Sequence, residues 1–268
     1  MHLRHDCIVE LEESVLKAID DAAELMLSSS YVIGLTGAGV SVESGIPPFR
    51  GPGGLWTKHG EPPMDGYQRF MEDPKGYWEQ RLTPERSLGL GRALVGAKPN
   101  RGHYALAEME AMGVLRVLIT QNIDNLHALA GNRNLLEIHG NSQKLRCVDC
   151  GSRFPREGFD LSELPPRCPN CGGVVKSDTV MFGEPIPQDV LRRCFEEARR
   201  SDCILVVGTS ALVHPAAGIP VTVDRKGGKI IEVNITPSEL SRFSDVQVIA
   251  RSGEALPALV EALKRRLG

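Results

Sequence analysis

The sequence predicts an α/β fold built on a doubly wound, parallel β-sheet. Short apolar runs of strand length alternate with amphipathic helices along most of the 268 residues. Several of these runs end in glycine or polar side chains, which is where open parallel sheets bind ligands. One internal stretch interrupts the alternation with four cysteines and several prolines, and it indicates a smaller inserted module.

The composition is ordinary for a globular protein. Hydrophobic residues make up 41% and charged residues 24%, and a net charge of −3 gives no basic field that would attract nucleic acid. The first residues contain no apolar core of signal-peptide length, and no apolar run approaches the length of a membrane span. We therefore expect a cytoplasmic protein with no membrane partner and no direct nucleic-acid binding. The composition indicates no oligomeric state.

Each predicted element follows from local periodicity or from a turn signal. Apolar residues three and four positions apart predict the helices, and continuous apolar runs of four to six residues predict the buried strands. Gly113 is expected to end the helix that precedes it. In chain order we predict a helix over 10–28, a strand over 31–35, a loop over 51–63, short helices over 66–95, a helix over 99–112, strands over 114–119 and 135–138, a helix over 188–200, strands over 203–207, 229–233 and 246–249, and a helix over 253–267.

These elements divide the chain into three parts. The alternating pattern assigns residues 9–50, 98–140 and 180–268 to one discontinuous main domain. Residues 51–97 form a loop followed by a small helical module, in which Trp56, Tyr77 and Trp78 are expected to be core. Residues 141–179 form the cysteine-containing module.

The first strand runs into Gly37-Ala38-Gly39. Two close glycines after a strand let the backbone turn tightly against a phosphate, and the free N–H groups that follow can bind the anion. A plain glycine-rich turn is the alternative. The continuation over residues 44–50 is not needed by a phosphate turn, and it indicates a second, mobile part of a binding site.

The glycine turn does not match the fingerprint of hydride-transfer enzymes. That fingerprint needs a third glycine, where this chain has Val42, and an acidic residue about twenty positions later, where residues 51–56 contain none. Other strand ends offer groups that suit a phosphate or a ribose. These are the backbone and hydroxyls of Gly208-Thr209-Ser210 and the side chain of Asn234.

Four of the seven cysteines form two CxxC pairs, Cys147 with Cys150 and Cys168 with Cys171. Each CxxC turn directs two thiolates at one point, and two such turns complete a tetrahedral sulfur cage that suits zinc. Four thiolates leave no open position for water, so the metal is expected to be structural. Two redox pairs are the alternative, although neither pair lies at a strand-to-helix junction. The remaining cysteines, Cys7, Cys194 and Cys203, are expected to be ordinary apolar or surface positions.

Taken together, the motifs resemble those of the sirtuins, which are NAD-dependent protein-lysine deacylases. The resemblance covers residues 10–265 and is greatest to compact prokaryotic members. It implies a Rossmann-like NAD-binding domain, one structural zinc ion and an acyl-lysine protein as partner. The matching motifs are GAGVSVESGIPPFRG at 37–51, TQNIDNLH at 120–127, IHG at 138–140, the two CxxC pairs, MFGEP at 181–185, GTS at 208–210 and VNI at 233–235.

The resemblance also implies roles for individual residues. His139 would be the general base, and Asp124 would hydrogen-bond the nicotinamide carboxamide. The wall of the acyl-lysine tunnel would comprise Val180, Met181, Phe182, Gly183 and Glu184, with the substrate backbone added beside it as a strand. The implied NAD contacts are Gly37, Ala38, Gly39, Ser41, Ile46, Phe49, Arg50, Gln121, Asn122, Asp124, Gly208, Thr209, Ser210, Asn234, Ile235 and Ser252.

The implied reaction transfers the acyl group from lysine to ADP-ribose and releases nicotinamide and O-acetyl-ADP-ribose. Sirtuins that remove succinyl groups resemble one another in a Tyr-x-x-Arg pair, whereas this chain has Trp78 and Arg81 at the nearest match. We therefore expect an uncharged acyl group, chiefly acetyl. A desuccinylase, a mono-ADP-ribosyltransferase on the same scaffold and a non-enzymatic zinc-ribbon adaptor are the alternatives. The adaptor is disfavoured because every expected catalytic position is filled.

Overall fold

The computed structural model describes residues 11–51, 53–83 and 90–268 of the chain. Within these ranges the strands form one six-stranded and one three-stranded sheet. Cys7 and the predicted helical residues at 84–89 lie outside the described residues. The strands are β1 Val32–Thr36, β2 Leu115–Thr120, β3 Leu135–Glu137, β4 Lys144–Cys147, β5 Arg153–Pro155, β6 Val175–Ser177, β7 Cys203–Val207, β8 Lys229–Asn234 and β9 Val246–Ile249.

The helices cover both faces of the large sheet, and four short ones in the described ranges lie between residues 55 and 94. They are α1 Glu13–Ser28, α2 Leu55–His59, α3 Gly66–Glu72, α4 Pro74–Leu82, α5 Leu90–Leu94, α6 Arg101–Ala111, α7 Leu126–Ala130, α8 Gln188–Arg200, α9 Gly218–Asp224 and α10 Ser252–Leu267.

The six-stranded sheet is parallel throughout and has the order β3-β2-β1-β7-β8-β9. Every residue of β1 and β7 is buried, as expected for parallel strands covered on both faces. One apolar core joins the sheet to α1, α6 and α10, and a second joins the opposite face to α8 and α9. The predicted doubly wound α/β class is confirmed.

The order of strands reverses between β1 and β7, which lie side by side at the centre of the sheet. The connections from β1 lead outward through β2, whereas those from β7 lead the other way through β8. A crevice forms at such a switch point, outside the carboxyl ends of the strands. The glycines at 37–39 and at 208 therefore lie where this fold class binds ligands.

The smaller sheet is antiparallel, with β4 paired to both β5 and β6. Helix α4 packs against it through Trp78, whose side chain is fully buried with Leu145 and Val175. The Trp78 indole Nε1 donates a hydrogen bond of 2.8 Å to the Val175 carbonyl. The expectation that Trp78 is core is confirmed, but this core joins the helical and cysteine-containing modules to each other.

Three short helices differ from the predictions. Helix α2 lies inside the predicted loop at 51–63, and α2 and α7 have five residues each, too few to show a helical period. Helix α9 was also missed, because its sequence GIPVTVD is rich in β-branched residues and tertiary packing overrides that propensity. None of the described helices is both long enough and apolar enough to cross a membrane.

Candidate active site and metal centre

A large cavity of about 1660 Å³ opens at the carboxyl edge of the parallel sheet. Its wall is formed by the ends of β1, β7 and β8, the loop over residues 48–51, and the segment over residues 179–186 that leaves the small sheet. Most of the residues expected at the site therefore share one cavity. Those that line it are Gly37, Ala38, Gly39, Phe49, Arg50, Gln121, Asn122, His139, Val180, Met181, Phe182, Gly183, Glu184, Gly208, Thr209, Ser210, Asn234, Ile235 and Ser252.

The floor of the cavity is a contact between two glycine-containing turns. Gly39 N–H donates to the Gly208 carbonyl at 2.8 Å, and Gly208 has a φ of +59°. A Cβ on Gly39 would lie 2.6 Å from the Gly208 Cα, and one on Gly37 would lie 2.7 Å from the Thr209 Cβ. Any side chain at these glycines would force the two strand ends apart, so the sequence keeps a bare backbone cradle suited to a phosphate.

Trp56 of α2 lines the cavity and forms an aromatic bridge between two parts of its wall. Its ring lies 4.9 Å from the Phe49 ring and 5.6 Å from the Phe182 ring, and the Arg50 guanidinium lies 4.3 Å from its centroid. The Trp56 N–H also donates to the Phe49 carbonyl at 2.8 Å. The expectation that Trp56 belongs to the core of the helical module is therefore wrong. The available signal for a place at the cavity was that this aromatic residue follows Arg50, an expected NAD contact, by only six positions.

His139 follows β3 and lines the cavity with its ring half-buried. The ring Nδ1 lies 3.1 Å from the Gln121 carbonyl oxygen, which can only accept a hydrogen bond. Nδ1 therefore carries the proton, and Nε2 is the proton acceptor of the neutral ring. Burial lowers the pKa of His139 below its usual value, while the Gln121 carbonyl raises it in part. The neutral ring is consequently the prevailing form at neutral pH.

Three of the expected contact residues do not line the cavity. Ile46, Ser41 and Asp124 are buried behind its wall. Asn122 connects the cavity lining to these buried residues, because its Nδ2 donates to the Gly37 carbonyl and to the Ser41 hydroxyl, each at 3.0 Å.

Ser41 and Asp124 form a buried pair behind Asn122. The Ser41 hydroxyl donates to Asp124 Oδ2 at 2.6 Å, and the Leu126 N–H at the start of α7 donates to Oδ1 at 2.9 Å. Burial raises the pKa of Asp124, whereas these two hydrogen bonds lower it. The carboxylate thus holds Ser41 and the first turn of α7 in place.

Two neutral histidines lie deeper, behind Ser41. His103 Nε2 is 3.4 Å from the Ser41 hydroxyl, and His127 Nε2 is 2.9 Å from the Thr36 hydroxyl, with the two ring centroids 4.8 Å apart. Burial lowers the pKa of His103 to about 4 and lowers that of His127 well below its ordinary value. Neither ring is protonated at neutral pH, so both support the wall without adding charge.

The segment over residues 180–184 forms the opposite wall. Val180 N–H donates to the His139 carbonyl at 2.8 Å, and the Phe182 carbonyl accepts from the Tyr67 N–H at 3.0 Å. Gly183 has a φ of +79°, and a Cβ there would lie 2.5 Å from the Met64 carbonyl oxygen. The segment is therefore held by both the main sheet and the helical module.

The four cysteines of the CxxC pairs converge in the small sheet, with all their Sγ atoms within 4.8 Å of one another. The distance is 3.5 Å between Cys147 and Cys171 and 3.7 Å between Cys150 and Cys168. Sulfurs that bind one tetrahedral zinc at about 2.3 Å lie ~3.8 Å apart, so this donor set fits zinc. All four lie away from the cavity lining, which fits a structural metal.

Trp78 and Arg81, the nearest match to a succinyl-recognising pair, do not line the cavity. Trp78 is buried against the small sheet, and Arg81 Nη2 donates to the Ser177 hydroxyl at 3.3 Å. Cys194 and Cys203 are buried in the apolar cores that flank the large sheet, which agrees with the ordinary apolar positions expected for them, and burial raises the pKa of each thiol to about 12.

Comparison with known proteins places these features in a family context. The model of the Sir2 family matches residues 37–215. The NAD-dependent protein deacetylase of Sulfurisphaera tokodaii is 46% identical over 91% of this chain and 96% of its own length. A solved complex of a Sir2 homologue with NAD is 39% identical, with a TM-score of 0.77 over 97% of this chain and 96% of that chain. A Sir2 variant bound to a deacetylated p53 peptide and 3'-O-acetyl ADP-ribose is 32% identical, with a TM-score of 0.75 over 91% of this chain and 97% of that chain.

Proposed function

The chain belongs to the Sir2 family, and from this premise we propose which residues carry out its reaction. It is an NAD-dependent protein deacetylase/deacylase that forms O-acetyl-ADP-ribose, with acetylated peptides as its substrates. The observation that supports our assignment is the shared cavity, which is lined by His139 together with the glycine cradle and the wall at 180–184. NAD supplies an electrophilic anomeric carbon whose leaving group is nicotinamide.

The cradle and the loop after it are proposed to hold the co-substrate. The backbone at Gly37 and Gly39 carries no Cβ and adjoins Gly208, so a pyrophosphate can approach the turn closely, although the N–H groups of these two glycines already donate to the Val207 and Gly208 carbonyls. Phe49 and Trp56 form an apolar cover that excludes water from the reacting carbon. Direct contact of Asp124 with nicotinamide stays a prediction, because in this structure its carboxylate binds Ser41 and Leu126.

His139 is proposed to act as the general base through Nε2. The Gln121 carbonyl fixes the proton on Nδ1, so Nε2 is free to accept a proton from a ribose hydroxyl. That hydroxyl would then attack the acyl carbon while it is still bonded to the lysine nitrogen, and the free lysine amine would leave when this C–N bond breaks. The segment at 180–184 would meanwhile bind the peptide backbone as an added strand, which brings the acyl-lysine into the same cavity.

We also propose that the protein is cytoplasmic and that its four-cysteine cluster binds one structural zinc. The described cysteines are free thiols, which fits a reducing compartment. The cage is closed by four sulfurs, and so the metal would stabilise the small sheet without taking part in the reaction.

The proposed function predicts that nicotinamide is released only when NAD and an acetyl-lysine peptide are both present. Acetyl-lysine should be turned over at least about tenfold faster than succinyl-lysine. The reason is that the Arg81 guanidinium lies outside the cavity lining and so is not placed to pair with the carboxylate of a succinyl group. The measurement is nicotinamide release on matched acetyl and succinyl peptides, with Arg81→Met as the matched variant. A succinyl preference that disappears in Arg81→Met would contradict the uncharged-acyl proposal. Radiolabel passing from NAD to protein without deacylation would instead indicate an ADP-ribosyltransferase.

Trp56 is expected to report co-substrate binding through its fluorescence. The chain has two tryptophans, and Trp78 is fully buried against the small sheet. Addition of NAD should therefore change the emission of Trp56 alone, because its ring lies against the Phe49 and Arg50 side chains that would contact the co-substrate. The change should disappear in Trp56→Phe and persist in Trp78→Phe. An unaltered response in Trp56→Phe would show that the aromatic bridge does not sense NAD.

A further inference from the structure

Lys176 of β6 is a fully buried lysine that the proposed reaction does not use, with a side-chain exposure of 0%. Lysine is almost never buried unless its charge is paired. Its ammonium group donates to the Ser177 carbonyl at 2.9 Å and to the Thr179 carbonyl at 2.8 Å. The third partner is Glu184, whose Oε2 lies 3.0 Å from the Lys176 Nζ. All three donors of the ammonium group are thus occupied.

Glu184 receives more than this one contact. Its Oε1 accepts from Arg146 Nη2 at 2.5 Å, and its Oε2 accepts from the Met181 N–H at 2.8 Å. The Glu184 side chain is only 3% exposed, although the residue borders the cavity. Glu184 therefore binds its own segment, through Met181, to two cations of the small sheet.

The two cations lie on β4 and β6 of the small sheet, and Cys147 of the cluster is also on β4. Arg146 and Lys176 are paired residues on β4 and β6, and the next pair in the register is Cys147 with Val175. Arg146 also donates to Asp178 at 2.9 Å, which fixes the chain just before the cavity wall. A short path of contacts thus connects the cluster to the segment over residues 180–184.

Stability alone does not require a lysine at this position. Replacing a buried ion pair by well-packed apolar groups is often neutral or stabilising, whereas the pair can fix a single geometry. Here the fixed geometry is that of Met181 and its neighbours, since the Thr179 carbonyl and the Glu184 carboxylate both bind the same ammonium group.

We propose that Lys176 is a positioning residue that holds the segment over residues 180–184 against the small sheet in the shape that binds the acyl-lysine peptide. This inference rests on the proposed function of that segment. The affinity for peptide should consequently depend on Lys176, whereas the affinity for NAD should not, because the glycine cradle belongs to the main sheet.

Steady-state kinetics of Lys176→Met provide the test. We expect the KM for an acetyl-lysine peptide to rise about tenfold or more, with kcat at saturating peptide and the Kd for NAD changed less than about twofold. Lys176→Arg should recover most of the peptide affinity, because it restores the charge. Lys144→Met is the matched control, since Lys144 is a more exposed lysine of the same sheet whose ion pair is with Glu137.

Zinc content and circular dichroism establish that each variant is folded. If Lys176→Met does not fold, Glu184→Gln removes the carboxylate charge that Lys176 and Arg146 share, without a change of size, and should also raise the peptide KM. Peptide KM values equal to wild type in the folded variants, or an equal loss of NAD and peptide affinity, would overturn the inference. A wild-type protein without acetyl-peptide-dependent nicotinamide release would refute the proposed function itself, which is a separate outcome.

Discussion

Replacement of His139 by alanine is expected to reduce kcat about 10²- to 10⁴-fold, the contribution typical of a general acid or base. The variant should still bind NAD, because the glycine cradle at 37–39 is built from the backbone of other elements. The measurement is nicotinamide release and product formation at saturating substrates, together with calorimetric titration of NAD. His59→Ala is the control, since His59 is an exposed histidine outside the cavity lining.

The pH dependence gives an independent readout of the same group. A base must be unprotonated to act, so kcat/KM should rise as the pH increases through the pKa of His139 and then level off. Burial lowers that pKa below the ordinary value of 6.5, and activity should therefore persist into mildly acidic solution and fail only below it. Full activity in His139→Ala, or a rise in activity centred well above pH 7, would show that a different group is the base.

The sequence was sufficient to predict the parts of the molecule that depend on local chemistry. The glycine turn at 37–39 follows from the need for a bare backbone, and the cysteine cage follows from the reach of two CxxC turns. The strands β1 and β7 were predicted because continuous apolar runs suit positions buried on both faces of a parallel sheet. Each of these signals, whether a glycine turn, a CxxC turn or an apolar run, lies within a few consecutive residues of the chain.

The features that were missed depend on contacts between distant parts of the chain. Trp56 was assigned to a core because its sequence neighbours give no indication that Phe182 will lie 5.6 Å away. Similarly, the neighbours of Lys176 in the chain do not show that Glu184 will be its ion-pair partner. The available signal was a lysine that directly follows two valines in a buried strand, which indicates that its charge is buried. Ser41 and Asp124 belong to motifs of the family, yet only the structure shows that they lie behind Asn122.

Replacement of Cys147 by alanine is expected to remove the metal and unfold the small sheet together with the loops that carry the other cysteines. Cys147 is fully buried on β4, and its loss leaves three thiolates without a closed cage. Structural zinc contributes on the order of 10–16 kcal/mol to the folding of isolated zinc-binding peptides, which is as large as the whole stability of many domains. The Tm should fall by well over about 10 °C, and zinc content should fall from one ion per chain to near zero.

The packing of Trp78 makes this unfolding visible at a defined place. Trp78 joins α4 to the small sheet through Val175, the residue paired with Cys147, so loss of the cage should expose the indole and shift its emission to the red. Trp56→Phe in the same background would leave that signal to Trp78 alone. Cys194→Ala is the matched control, because this buried thiol lies on α8 and outside the cluster, and it should keep its zinc. Retained zinc and an unchanged Tm in Cys147→Ala would contradict the four-cysteine cage. Loss of the metal with full peptide affinity would show that the cage is not needed to hold the wall over residues 180–184 that Lys176 is proposed to position.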